Sequence, residues 1–295
     1  MRHAVLGAGG VGGLVGGALA NTGHSVTLLV RPGRRDRYPE RLSVESDTLG
    51  SFEVPVRVAD RLDGQFEVVW ITVKATALEA ALGAIDKEEL GGAVVVPLLN
   101  GVDHIARLRE HYGLERVLPG TIRVEAERLE PGRVRQFSPF ANLEVAPGPS
   151  TLPWAEELCG ELRVAGLSCE VQDDEVTMLW SKLCFLAPFA LTTTASGGTL
   201  GVVRSDASWH YRLKSCVAEV CSVAIAEGAK LTPQPVLAAL EGAPDALRSS
   251  MQKDVAAGRA PELDAIAGPI LRGGSKYGID VSATQALVDN IVRAM

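Results

Sequence analysis

What this chain of 295 residues lacks narrows its role before any motif is read. It has no excess of basic charge: 29 Lys and Arg stand against 36 Asp and Glu, a net −7. A general nucleic-acid binder needs a basic face to neutralise phosphates, so that class is set aside. Five cysteines (Cys159, Cys169, Cys184, Cys216, Cys221) form no C-x-x-C pair, and they read as small reduced core residues of a cytoplasmic protein. Five histidines are scattered without a partner at metal-ligand spacing, so no metal site is expected. No apolar run approaches about 18 residues, and no membrane-crossing helix is expected. Met1-Arg2-His3 leads straight into an apolar stretch, without the layout of a signal peptide.

What is present begins almost at once. His3-Ala4-Val5-Leu6 reads as a buried first strand, followed by Gly7-Ala8-Gly9-Gly10-Val11-Gly12-Gly13 and a helical run from Leu14 to Ala20. Gly7, Gly9 and Gly12 satisfy G-x-G-x-x-G directly after a strand and opening a helix, the context that gives the pattern meaning. The first glycine permits the tight turn, the second lets backbone approach a pyrophosphate, and the third lets helix and strand close together. A dinucleotide site is expected here, with Gly10 and Val11 completing the loop. The second strand, Ser25 to Val30, leads to Arg31, 19 positions beyond Gly12. An acidic residue near this point would take a ribose 2′-hydroxyl, whereas an arginine accommodates a 2′-phosphate. The run Arg31-Pro32-Gly33-Arg34-Arg35 therefore favours NADP over NAD.

Further along, Leu42 to Val58 alternates polar and apolar residues, as a hairpin or extended excursion would. Phe66–Val73 is a buried strand ending at Lys74, with a helix expected over Ala75–Ile85. Ala93–Leu99 is another strand, ending at Asn100-Gly101. Ligands in open α/β sheets bind at the carboxyl ends of the strands, which makes Lys74 and Asn100 candidates beside the glycine loop. Val117–Val124 and Asn142–Val145 read as late strands, with Arg133–Phe137 pairing between them, then a helix from Trp154 to Ala165 and a short strand at Ser168–Val171. Beyond residue 172 no strand is expected. Segments 207–228, 233–242, 245–257, 262–272 and 282–294 have helical character, with Thr232-Pro233 and Pro261-Glu262 read as helix starts. At about 150 residues per domain, the reading is α/β with two domains. A Rossmann-type dinucleotide-binding domain over 1–172 precedes an all-helical substrate domain over 173–295.

Leu179, Lys182, Leu186 and Phe189 recur at spacings of three and four, which places Lys182 within an apolar stripe of the first long helix. A lysine so placed is either a snorkelling side chain or a proton donor made more acidic by desolvation. At this point the chain resembles the ketopantoate reductase (2-dehydropantoate 2-reductase) family over essentially its full length. The resemblance rests on Gly7 to Gly12, Arg31, Val73-Lys74-Ala75, Leu99-Asn100-Gly101, Trp180-Ser181-Lys182-Leu183, Ser249-Ser250-Met251-Gln252-Lys253-Asp254 and Glu262-Leu263-Asp264. It implies that Arg31 contacts the NADP 2′-phosphate and that Lys74 and Asn100 line the nicotinamide end of the site, touching substrate as well. By the same resemblance Lys182 is the catalytic acid, Ser250 a substrate contact and Glu262 a cofactor-side residue. Where the family usually has two asparagines, one and two turns after the lysine, this chain has Leu186 and Ala190, with Thr192, Thr193 and Thr194 just beyond. The expected activity is NADPH-dependent reduction of a small 2-oxo acid. A same-fold reductase of a more apolar ketone and a non-catalytic NADP-binding sensor remain as alternatives. The expected partner is that small molecule, with a homodimer as the candidate assembly.

Overall fold

In the computed structural model, which describes residues 1–295, the chain starts with strand β1 (Arg2–Leu6) at the centre of a five-stranded parallel sheet. Its partners are β2 (Ser25–Leu29), β5 (Arg57–Ala59), β6 (Val68–Ile71) and β7 (Val94–Pro97), in the order β5-β2-β1-β6-β7. These strands read as unbroken apolar runs because a parallel sheet is covered on both faces. Every residue of β6 and β7 is buried.

Helix α1 (Gly10–Asn21) follows the glycine loop and is buried continuously from Gly12 to Leu19. A helix with one wet face would not be; this one is clamped between two sheets. The second sheet has the order β4-β3-β10-β9 and comprises β3 (Arg41–Ser46), β4 (Gly50–Pro55), β9 (Ala126–Glu130) and β10 (Arg133–Gln136). Small residues make the clamp possible, since a Cβ at Gly13 would stand 2.4 Å from Val134 and one at Gly17 2.5 Å from Val44. β3 and β4 form a hairpin, the first of the two readings of 42–58. Arg133–Phe137 corrects its sequence reading: β10 pairs parallel with β3 and antiparallel with β9. The two late strands on either side of it in the sequence, β8 (Gly120–Arg123) and β11 (Asn142–Val145), pair with each other directly. Burial of Val134 against α1 selects the more distant partner.

β12 (Ser168–Val171) completes the third sheet, β12-β11-β8, and helix α4 (Leu152–Val164) packs on β12. Cys159 of α4 and Cys169 of β12 form a disulfide, Cα–Cα 5.0 Å, which corrects the reading of all five cysteines as reduced. The chain reversal between them brings the two positions together without any short Cys motif. Cys184, Cys216 and Cys221 are free and buried. Ala75–Ile85 forms less helix than expected, a 3₁₀ turn at Ala75–Ala77 and then α2 (Leu78–Leu82). α3 (His104–Tyr112) finishes the inventory of this unit, which comprises Met1–Leu99 and His104–Glu175.

The second unit, Asn100–Asp103 with Val176–Met295, is helical. Its axis is α5 (Glu175–Ser196), followed by α6 (Leu200–Ser205), α7 (Ala207–Ala226), α8 (Pro233–Gly242), α9 (Ser250–Ala256), α10 (Leu263–Tyr277) and α11 (Ser282–Ala294). Leu183, Ala190, Leu213, Val217, Ile266, Ile270, Leu287 and Ile291 form its core. α5 does reach the length and mean hydropathy of a membrane span, 1.3 over its best window, but 67% of that window is buried inside the protein. It is a core helix. α9 is shorter than the segment 245–257, because the Ser249 hydroxyl accepts from Gln252 N–H and fixes the helix start there. α10 begins at Leu263 with Glu262 as its N-cap, so Pro261 precedes the cap instead of opening the helix.

Candidate active site

Gly7 follows β1 with φ +107°, a conformation open in practice to glycine. Thr72, just past β6, locks that turn by donating its hydroxyl to the carbonyls of Gly7 at 2.8 Å and Leu6 at 3.1 Å. Gly12 is demanded by packing, because a Cβ there would stand 2.3 Å from both the Gly7 carbonyl oxygen and Thr72 Oγ1. Gly10 lies under the carbonyl of Ala126, 2.1 Å from where its Cβ would be.

Gly9 has neither reason to be glycine. Its backbone is extended, φ −91°, and a Cβ on it would meet nothing nearer than the Gly7 oxygen at 4.0 Å. The space above Gly9 is free of protein. It opens at the N-terminus of α1, which no side chain caps and whose first turn holds no acidic residue. Unpaired N–H groups and the positive end of the helix dipole converge there. The residues present therefore fit the pyrophosphate of a dinucleotide. Val11, next in the loop, is half-buried.

Arg31 stands two residues beyond β2, exposed and without a carboxylate partner. Its carbonyl accepts from Arg34 N–H at 3.0 Å, closing a turn at the start of the basic run. Lys74 is exposed at the residue before the 3₁₀ turn that follows β6. The ends of β1, β2 and β6 thus carry the loop, Arg31 and Lys74 on one edge of one sheet.

The remaining candidates belong to the helical unit. Asn100 follows β7 in the chain, yet its Nδ2 donates to Glu262 Oε2 at 3.1 Å, across 162 residues. Glu262 is 8% exposed, and its carboxylate holds the amide nitrogen of Asn100. Gly101 has φ +85°, and a Cβ on it would stand 2.3 Å from the Ala265 carbonyl; only glycine brings the loop so close to α10. On α5, Leu179 and Phe189 are buried while Lys182 and Leu186 are half-buried neighbours one turn apart. Ala190 lies wholly in the core. Thr192 donates its hydroxyl to the Pro188 carbonyl at 2.6 Å, and Thr193 to that of Phe189 at 2.7 Å. Thr193 Oγ1 also lies 3.1 Å from Ser249 Oγ. Such back-bonding ties these hydroxyls to their own helix. Of the two adjacent serines, Ser249 is buried and serves as the cap, whereas Ser250 is exposed.

Residues 3–149 match the family described as "Ketopantoate reductase PanE/ApbA", and residues 175–294 match its C-terminal counterpart. A 2-dehydropantoate 2-reductase from Caulobacter vibrioides is 32% identical over 294 residues, covering 97% of this chain and 96% of the relative. One from Mycobacterium tuberculosis is 30% identical, covering 99% and 97%. Among solved structures, a PanE/ApbA family ketopantoate reductase from Ralstonia eutropha JMP134 superposes with a TM-score of 0.87 at 28% identity, covering 100% of this chain and 98% of that one. A D-mandelate dehydrogenase, solved with NADH and anilino(oxo)acetate, shares the fold with a TM-score of 0.87 at 23% identity, covering the same shares.

Proposed function

The chain belongs to the ketopantoate reductase family, and from that premise we propose that it reduces a small 2-oxo acid with NADPH. The observation that carries the reading is Gly9, a glycine that neither backbone conformation nor packing requires and that leaves open the approach to the α1 N-terminus. Arg31, unpaired beyond β2, supports a 2′-phosphate, since a guanidinium offers planar donors and a permanent charge.

When bound, the nicotinamide supplies the hydride that reaches the carbonyl carbon. Lys182 gives a proton from its ammonium to the carbonyl oxygen, so that ketone, hydride and proton together become a secondary alcohol. Before that transfer is complete, the same ammonium stabilises the negative charge growing on the oxygen. Asn100, its amide nitrogen held by Glu262, would offer its carbonyl oxygen as a hydrogen-bond acceptor. Lys74 and Ser250, both exposed, offer a cation for the substrate carboxylate and a hydroxyl for orientation. The expected outcome for Lys182→Ala is loss of turnover by a factor of about 10² or more with NADPH affinity unchanged. Unchanged turnover in that variant would sink the mechanism.

A second reading concerns the substrate. The hydroxyl of ketopantoate calls for a polar partner, and Leu186 presents hydrocarbon beside Lys182 where the family usually offers an amide. Ala190 is buried, and the hydroxyls of Thr192 and Thr193 are engaged by helix carbonyls. These observations favour a 2-oxo acid with an apolar substituent, of which the anilino(oxo)acetate bound by the D-mandelate dehydrogenase is a chemical example.

A further inference from the structure

The glycine loop is overhung by the second sheet. β9 and β10 pair antiparallel, Ala126 opposite Gln136 and Arg128 opposite Val134, with the register shifting between Arg133 and Val134. Directly opposed residues share a face of the sheet, and Val134 is the residue that presses on Gly13 of α1. Arg128 therefore leaves β9 on the side of α1, two residues along from the Ala126 carbonyl that covers Gly10. Its Nη1 donates to the carbonyl of Ala8 at 3.4 Å and to the hydroxyl of Tyr38. Tyr38 in turn donates to the same Ala8 carbonyl at 3.5 Å, and its ring centroid lies 6.0 Å from the guanidinium carbon. Ala8 is the residue between the first two glycines of the loop.

We propose that Arg128 is a ligand to the pyrophosphate of the dinucleotide, an assignment that rests on reading the glycine loop as its site. Three observations carry it. The contacts that hold the guanidinium in place are two neutral oxygens and the Tyr38 ring, so its charge is not cancelled. Arg133 and Arg135 on the neighbouring strand by contrast lie beside carboxylates, Arg133 paired with Glu45 and Glu130 and Arg135 within 4.0 Å of Glu45. Only one of its nitrogens is engaged, leaving the other N–H groups of a planar fork for phosphate oxygens. The register shift beside Arg128 is a device that re-aims side chains near functional sites. The position also distinguishes the two phosphates. Ala8 adjoins the open space above Gly9, while the 2′-phosphate belongs beyond β2, where Arg31 stands.

Calorimetric titration of the parent and of Arg128→Met with ADP, AMP, NADPH and NADH tests this. The variant should bind NADPH and NADH more weakly by the same factor, about ten- to a hundredfold, as expected for loss of a charge-assisted hydrogen bond. Its preference for ADP over AMP should collapse, because the second phosphate has lost its partner. Arg128→Lys should recover part of both effects. Weakening of NADPH alone would place Arg128 on the 2′-phosphate and overturn the assignment, as would unchanged affinity for all four ligands. A parent protein that binds none of the four overturns the dinucleotide reading and the assignment with it, and is distinguished by needing no variant to show it.

Discussion

Two glycines of one loop, three residues apart, should respond in opposite ways to the same added methyl group. Gly9 has room for it: the nearest atom to a Cβ is 4.0 Å away, and φ −91° suits alanine. Alanine is a poorer N-cap than glycine by some tenths of a kcal/mol, but it also loses less entropy on folding. The two effects offset, and Gly9→Ala should leave stability within about 0.5 kcal/mol, a shift in Tm of roughly 2 °C at most. Its methyl would stand in the space into which a pyrophosphate must come, so dinucleotide affinity should fall at least tenfold, the lower end of a lost charged hydrogen bond. Gly12→Ala has no room. Its Cβ would press on the Gly7 oxygen and Thr72 Oγ1 at 2.3 Å and on Val5 at 2.9 Å, and such overpacking costs about 1–3 kcal/mol. Thermal unfolding and NADPH fluorescence titration of both variants separate the two roles. A Gly9→Ala protein that binds NADPH like the parent, or that unfolds as early as Gly12→Ala, would refute the division of labour.

Further expectations are as direct. His3 of β1 is fully buried, its Nδ1 accepting from Trp70 Nε1–H at 3.2 Å and its Nε2 facing His24 Nδ1 at 3.3 Å. Burial above all, then the nearby His24 and N-terminal ammonium, push its pKa from 6.5 down to about 3. The unfolded imidazole takes up a proton below pH 6.5 and the folded one does not until about 3. Stability is therefore full above 6.5 and declines as pH falls, by about 2 kcal/mol at pH 5. Urea midpoints at pH 7 and 5 for the parent and His3→Gln check this, and parallel slopes would contradict it. Arg31→Asp should weaken NADPH binding about tenfold or more beyond any effect on NADH; equal effects would make Arg31 a surface residue.

How much was legible follows from where the physical signal sits in the chain. The parallel strands announce themselves because burial on both faces leaves unbroken apolar runs, as in the four residues of Val68–Ile71 and of Val94–Pro97. The glycine loop is legible because its parts are contiguous. The partner of β10 is not legible, because β3 lies some 90 residues earlier and alternation alone does not say which sheet a strand joins. The pairing of Asn100 with Glu262 spans 162 residues, and nothing local in either segment announces it. Ser249 and Ser250 differ only in which one caps α9, a choice decided by the backbone of the helix start. Periodicity found the face of α5 but not its gradation, with Leu179 and Phe189 inside and Lys182 and Leu186 at the edge. The contacts of Tyr38 and Arg128 with Ala8 join three separate segments, and no sequence pattern signals them.

The most direct measurement is NADPH oxidation by the parent protein against ketopantoate and a panel of branched and aromatic 2-oxo acids, with identification of the product. The expected result is stoichiometric conversion of at least one 2-oxo acid to its 2-hydroxy acid, with higher kcat/KM for an apolar substituent than for ketopantoate and a shift back toward ketopantoate in Leu186→Asn. NADPH that binds but is consumed with no member of the panel would contradict the reductase reading and leave a cofactor-binding sensor in its place.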